Sequence, residues 1–296
     1  MKPKILLILG PTASGKSALA VTLARKLGGE IVSADSRQVY KGLDIGTGKI
    51  TRREMKGVPH HLLDVASPKR QFTVAEYKKL ADKAIDDILA RGKLPIICGG
   101  TGFYIQAIVD GTVLPEVAPN ARLRAVLEKK SALELFKILK KLDSRRAKEI
   151  DKNNPRRLIR AIEIAKALGK NPKNESKPKY DAVQIGIKLS DAELKKRITI
   201  RLFDRIRKYM ISEARQLHKK GLSWKRMEAL GLEYRYLAKF LKGEISREEM
   251  ISKLKTEIWH YAKRQMTWFK RDKRIQWISL KEMATLSSLR GKLRSK

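Results

Sequence analysis

The run Gly10-Pro11-Thr12-Ala13-Ser14-Gly15-Lys16-Ser17 constrains this chain more than any other segment, because it fits the pattern G-x-x-x-x-G-K-[ST]. An apolar stretch, Ile5-Leu6-Leu7-Ile8-Leu9, precedes it, and a helical pattern over residues 18–27, stopped by Gly28, follows. A strand, a glycine loop and a helix in that order bring backbone N–H groups and a helix N-terminus to bear on one anion. Lys16 adds a point charge, and the Ser17 hydroxyl is a candidate metal ligand for Mg2+. The pattern predicts a phosphate site. It does not say which phosphates are held, or whether phosphate is transferred or leaves.

Two more short apolar runs, residues 30–34 and 94–98, alternate with helical patterns in the first hundred residues, which predicts β/α units and a parallel sheet. Thr73-Val74-Ala75-Glu76 reads as a capping box, and Tyr77, Leu80, Ala81, Ala84, Ile85 and Ile88 then recur on one helix face. Residues 119–170 read as wholly helical, and Pro155 opens the last of those helices. Residues 183–187 read as a strand returning to the sheet. Helices over 192–219 and 246–268 and a last strand over 274–280 follow. The expected fold is α/β: a P-loop NTPase-like parallel sheet core flanked by helices, formed by residues 1–118 and about 180–296, with a basic helical insertion at about 119–179.

Ligands of open α/β sheets bind beyond the carboxyl ends of the strands. Three loops leave such ends: the phosphate loop, the segment beginning Asp35-Ser36-Arg37-Gln38, and Gly99-Gly100-Thr101-Gly102. Asp35 is therefore expected near the phosphate site, as a metal ligand, a proton acceptor or a turn cap. The glycines before and after Thr101 suit close approach of backbone to a ligand, or a tight strand-to-helix turn. A phosphoryl-transfer enzyme would end an apolar strand in a metal-binding Asp. The run 94–98 ends in Gly-Gly-Thr instead, which counts against a kinase without excluding one.

The chain carries 67 Lys and Arg against 31 Asp and Glu, a formal charge of +36. Residues 1–118 hold 18 basic and 11 acidic side chains, and the remainder 49 and 20, so the excess lies in the second part. Self-repulsion on that scale costs stability, and a polyanionic partner such as nucleic acid explains it. Trp259, Tyr261, Trp268 and Phe269 lie among lysines and arginines, but at helical spacing that favours a core role. The single cysteine, Cys98, reads as a small buried hydrophobe, and no Cys-based metal site is possible. No apolar run is long enough to span a membrane and no signal peptide is evident, so a cytoplasmic protein is expected, with monomer as the default state.

Several motifs, in order along the chain, resemble those of the tRNA dimethylallyltransferases (tRNA isopentenyltransferases). They are Gly10 through Ser17, Asp35 through Lys49, Pro59-His60-His61-Leu62-Leu63-Asp64, Pro95 through Tyr104, Arg156 through Glu163, Arg197 through Arg201, and Ala262 through Phe269. The resemblance implies Mg2+-dependent transfer of a dimethylallyl group from dimethylallyl diphosphate to N6 of the adenosine just 3′ to the anticodon of tRNA, with release of diphosphate. It implies that the amides of Thr12 through Ser17, Lys16 and Arg201, with Arg197 close by, hold the diphosphate. Asp35 would accept the amine proton, and Thr101 would lie near the base. Ser36, Arg37 and Gln38 would help seat the anticodon stem-loop. Arg122, with Arg124 as a rival, and Arg156, Arg157, Leu158, Ile159 and Arg160 match positions where the family touches tRNA. A prenyltransferase acting on free nucleotides, a small ATP-dependent kinase and a basic RNA-binding module share parts of the pattern. Label transfer to tRNA or to AMP separates them.

Overall fold

The computed structural model describes residues 1–172, 176–279 and 282. The chain divides into two compact units, one formed by Met1–Gly111 with Pro178–Lys296 and the other by Thr112–Lys177.

The larger unit is built on six parallel strands, β1 (Lys4–Leu9), β2 (Gly29–Ala34), β3 (His60–His61), β4 (Leu94–Gly99), β5 (Asp181–Ile187) and β6 (Gln276–Ile278). Their order across the sheet is β3-β2-β4-β1-β5-β6. In the centre, Leu6 pairs with Ile96 on one side and Val183 on the other. Because strand side chains alternate, Ile5, Leu7 and Leu9 join one apolar cluster, while Leu6 and Ile8 join another on the opposite face. All five are fully buried, which accounts for the unbroken apolar run of β1. Each such side chain contributes on the order of 1.5–3 kcal/mol. Strand β3 has only two residues and therefore no period to read. Strand β6 falls inside the expected 274–280 run, whose last residue lies outside the described residues, as does the basic stretch at the C-terminus.

Helix Lys16–Leu27 covers the face that carries Leu6 and Ile8. Helix Val74–Ala90 lies with the other cluster, and its capping box is formed, Thr73 Oγ1 accepting from the Glu76 N–H and Glu76 accepting from the Thr73 N–H. Its stripe buries Tyr77, Ala81, Ile85 and Ile88, while Leu80 stays 37% exposed. The helix expected over 192–219 is two helices, Asp191–Arg207 and Met210–Lys219, parted at Tyr209, whose φ of 70° lies in the left-handed region. That break turns Met210, Ala214 and Leu217 into the core. Helices Gly102–Val109, Trp224–Leu230 and Leu232–Leu241 add to the expected set, and Arg247–Phe269 opens with its Ser246 capping box as read from the sequence. No described helix is long and apolar enough to cross a membrane.

The smaller unit contains helices Ala121–Leu127, Ala132–Leu142, Ser144–Glu149 and Pro155–Leu168 around their own apolar cluster, in which Leu135, Leu139, Leu158 and Ile162 are fully buried. Glu163 is buried here and accepts two bonds at 2.7 Å from the Arg124 guanidinium, one at 2.9 Å from the Asn120 N–H and a longer one from Arg160. Burial pushes its carboxyl up, but these partners outweigh burial and hold it below its usual value.

Candidate active site

Loops leaving β1, β4 and β2 are neighbours, because those strands are adjacent in the sheet. The glycine loop ends with Gly15 in the left-handed region, and Lys16 begins the helix. The amides of Gly15, Lys16 and Ser17 thus form the helix N-terminus on a cleft of about 310 Å³, lined also by Glu54, Arg197, Ile200 and Arg201. Thr12 departs from the expected set: its N–H donates to Gln265 Oε1 at 2.8 Å, and the Ser14 N–H turns inward to the Pro11 carbonyl.

Positive charge is concentrated here. Lys16 Nζ donates to the Pro11 carbonyl at 3.1 Å, and burial lowers its pKa, with Arg201 and Arg205 pushing the same way. Burial also pulls Arg201 down to about 10, and the cationic Arg205 adds to this. Carboxylates offset two neighbours: Glu233 lies 2.9 Å from Arg205, and Glu193 lies 2.6 Å from Arg197. Arg201 instead donates to the Gly48 carbonyl at 3.0 Å, and it makes no ion pair among the described residues. Gly48 has a φ of 59°, and a Cβ there would lie 2.2 Å from Arg205 and 2.5 Å from Arg201, so any other residue would strain the backbone and displace the two guanidiniums.

The Gly48 loop is held from behind. Glu213 accepts from three successive amides, Asp44 at 3.0 Å, Ile45 at 2.6 Å and Gly46 at 3.0 Å, and from the Tyr234 hydroxyl at 2.7 Å. Neither Glu213 nor Tyr234 was legible as a site residue, since each lies some 165 or more positions from the loop it secures.

On the other side of the glycine loop, Asp35 Oδ1 caps its own turn, accepting from the Arg37 N–H at 2.8 Å and the Gln38 N–H at 3.3 Å. Its Oδ2 makes no hydrogen bond among the described residues. Thr101 Oγ1 accepts from the Ser36 N–H at 2.9 Å, which joins the Asp35 and Thr101 loops. Asp35 is close enough to Lys16 and Arg201 for its charge to be felt at both. Gln38 donates to the Gly48 carbonyl at 3.4 Å, so it belongs to the loop scaffold.

The glycines around Thr101 make room for the protein itself. A Cβ at Gly99 would lie 2.2 Å from the Ala34 carbonyl oxygen, one at Gly100 2.2 Å from the Gln265 amide, and one at Gly102 2.3 Å from Trp268. At Gly100 and Gly102 that room is taken by side chains, and at Gly99 by the backbone of the neighbouring strand. Trp259 and Trp268 lie against the core and Phe269 within it. Cys98 is buried, and burial raises its thiol to about 11, so it is inert.

Residues carried over to the helical unit divide. Arg122, Arg156 and Arg157 are exposed. Arg124 is committed to Glu163, which favours Arg122 as the open arginine of that pair. Arg160 donates to the Val117 carbonyl at 2.9 Å and lies near Glu163. Leu158 and Ile159 are 0% and 7% exposed in the apolar cluster, so their side chains face inward and only their backbone is left for a nucleic acid.

A parallel α/β sheet with a glycine loop opening onto a cationic helix N-terminus defines a P-loop-type α/β protein. Comparison with known proteins narrows this. The family model described as IPP transferase matches residues 38–272. A tRNA dimethylallyltransferase 2 of Trichlorobacter lovleyi is 46% identical over 289 residues, covering 94% of each chain. The crystal structure of the full-length tRNA isopentenylpyrophosphate transferase of Bacillus halodurans superposes with a TM-score of 0.75 at 36% identity, covering 99% of this chain and 97% of that one. A eukaryotic dimethylallyltransferase acting on tRNA gives a TM-score of 0.83 at 27% identity, over 98% of this chain and 77% of its own. The chain belongs to the IPP transferase family.

Proposed function

We propose that this protein transfers a dimethylallyl group from dimethylallyl diphosphate to N6 of the adenosine just 3′ to the anticodon of tRNA. The observation that carries the reading is the pair Lys16 and Arg201, cations that make no ion pair among the described residues, beside an open helix N-terminus and within reach of the Asp35 charge. Relatives spanning almost the whole chain are named tRNA dimethylallyltransferases, which supports the donor and the acceptor.

In this reading the allylic C1–O bond breaks and the diphosphate leaves with the electron pair. The amides of Gly15, Lys16 and Ser17, together with Lys16 and Arg201, stabilise the charge that gathers on it. The adenine amine forms the new C–N bond and gives its proton to Asp35 Oδ2, while Thr101 holds the Ser36 backbone in place. An adenine cannot reach such a cleft while stacked, so the base is extruded. Arg122, Arg156 and Arg157 act on tRNA phosphates, which accounts for the basic second part of the chain. Mg2+ suits the donor set, since Ser17 and Glu54 both line the cleft and a hard cation that keeps waters needs few protein ligands. When bound, it would neutralise charge on the departing diphosphate.

The test incubates the protein with labelled dimethylallyl diphosphate, Mg2+ and either tRNA or AMP. Label is expected on tRNA alone. Label on AMP but not on tRNA rejects the reading.

A further inference from the structure

We propose that Gln265 is a positioning residue that ties the leaving-group side of the cleft to the acceptor side, and so keeps transfer to tRNA ahead of capture by water. The inference rests on the prenyl-transfer reading above. Gln265 lies near the end of helix Arg247–Phe269 and is only 6% exposed. Its Oε1 accepts from the Thr12 N–H at 2.8 Å, and its Nε2 donates to the Gly100 carbonyl at 2.9 Å. One amide therefore spans two loops that no strand pairing joins at this point. From Gly100 the linkage continues through Thr101, whose N–H donates to the Ala34 carbonyl at 3.1 Å and whose hydroxyl accepts from Ser36. Thr12 is in the loop that holds the diphosphate, and Thr101 and Ser36 flank the proton acceptor Asp35.

The residue type is demanded by polarity and length. Bridging an N–H and a C=O needs one acceptor and one donor on the same group, which an amide has and a carboxylate or thioether lacks. Asparagine has the polarity but is one methylene too short. The space is cut to this side chain, since a Cβ at Gly100 would lie 2.2 Å from Nε2. An added consequence is that the Thr12 amide is withdrawn from the anion. Loosening the brace lets the donor carbon and the amine drift apart, and a misplacement of about 1 Å is enough to cost on the order of 100-fold in rate. An activated allyl group that outlives its partner takes water: the C1–O bond breaks, diphosphate leaves, the water oxygen bonds to carbon and its proton goes to solvent.

The test measures diphosphate released and label incorporated into tRNA for the wild type, Gln265→Met, Gln265→Asn and Leu254→Ala. The last weakens the same helix at a fully buried position remote from the loops. The wild type is expected to release about one diphosphate per transfer, and both Gln265 variants severalfold more, with kcat for transfer down about 10–100-fold. Leu254→Ala should stay coupled. A ratio near one in folded Gln265 variants, equal uncoupling in Leu254→Ala, or failure of both Gln265 variants to fold would overturn the proposal. Absence of tRNA labelling in the wild type would instead overturn the underlying function.

Discussion

Asp35 uses its two carboxylate oxygens differently, one capping the turn to Arg37 and Gln38 and one without a hydrogen bond among the described residues. The pair Asp35→Asn and Asp35→Ala separates the duties. Asparagine keeps the cap acceptor but cannot take a proton, so both variants should lose about 100- to 10,000-fold in kcat. The KM for tRNA should move little in Asp35→Asn. Near-normal turnover in that variant would leave Asp35 as a cap alone. The position of Asp35 at the end of an apolar run was legible in the sequence. The division between its oxygens was not, because which oxygen caps a turn depends on the local backbone path. At Leu158 and Ile159 the structure adds what a resemblance does not carry, the direction of the side chains. A run of residues transferred from a resemblance includes positions that alternate around a helix, and two of these five face inward. Leu158→Ala should therefore cost about 2–5 kcal/mol in denaturant unfolding, as a core truncation does.

Elements with a period or a cap were read correctly at their starts. Thr73, Ser246 and Pro155 stand where the first turns begin, since capping chemistry is local. The break at Tyr209 was not readable. Its flanks share one apolar pattern, and the benefit of parting them comes from Glu213 reaching the loop at Asp44 to Gly46. Glu213→Ala would leave three amides without their acceptor, at about 1–3 kcal/mol for each one that water does not reach. A lowered Tm is expected, with a raised KM for dimethylallyl diphosphate because the Gly48 carbonyl beneath Arg201 shifts. An unchanged KM in the folded variant would confine Glu213 to stability.

Over the whole molecule, charge makes the predictions. Arg157→Ala should weaken tRNA binding and flatten its salt dependence by about one unit of the log–log slope, as loss of one phosphate contact does. An unaltered slope would place that arginine away from the RNA. Glu163 contributes, with Asp143, to the acid sensitivity of the helical unit. Its folded pKa is lowered, so its contribution is fully present above the ordinary value of 4.5 and is lost as pH falls through the folded value. Glu163→Gln should thus cost about 2–4 kcal/mol at neutral pH. In urea titrations that gap should narrow below pH 4.5, and a gap constant with pH would contradict the pairing with Arg124.

The sequence by itself determined the strand–loop–helix that ends in a cationic helix N-terminus, the parallel sheet and the unequal charge, because apolar period, glycine placement and composition are written locally. The tertiary structure alone decided how the site is assembled. Gln265, Glu213, Arg205 and Gly48 act on loops far away in the chain, and no local pattern reports a hydrogen bond spanning 253 residues. It also decided that Thr12 serves the scaffold, and that the glycines beside Thr101 admit a glutamine and a tryptophan. Steric room and bond polarity are properties of neighbours brought together by folding.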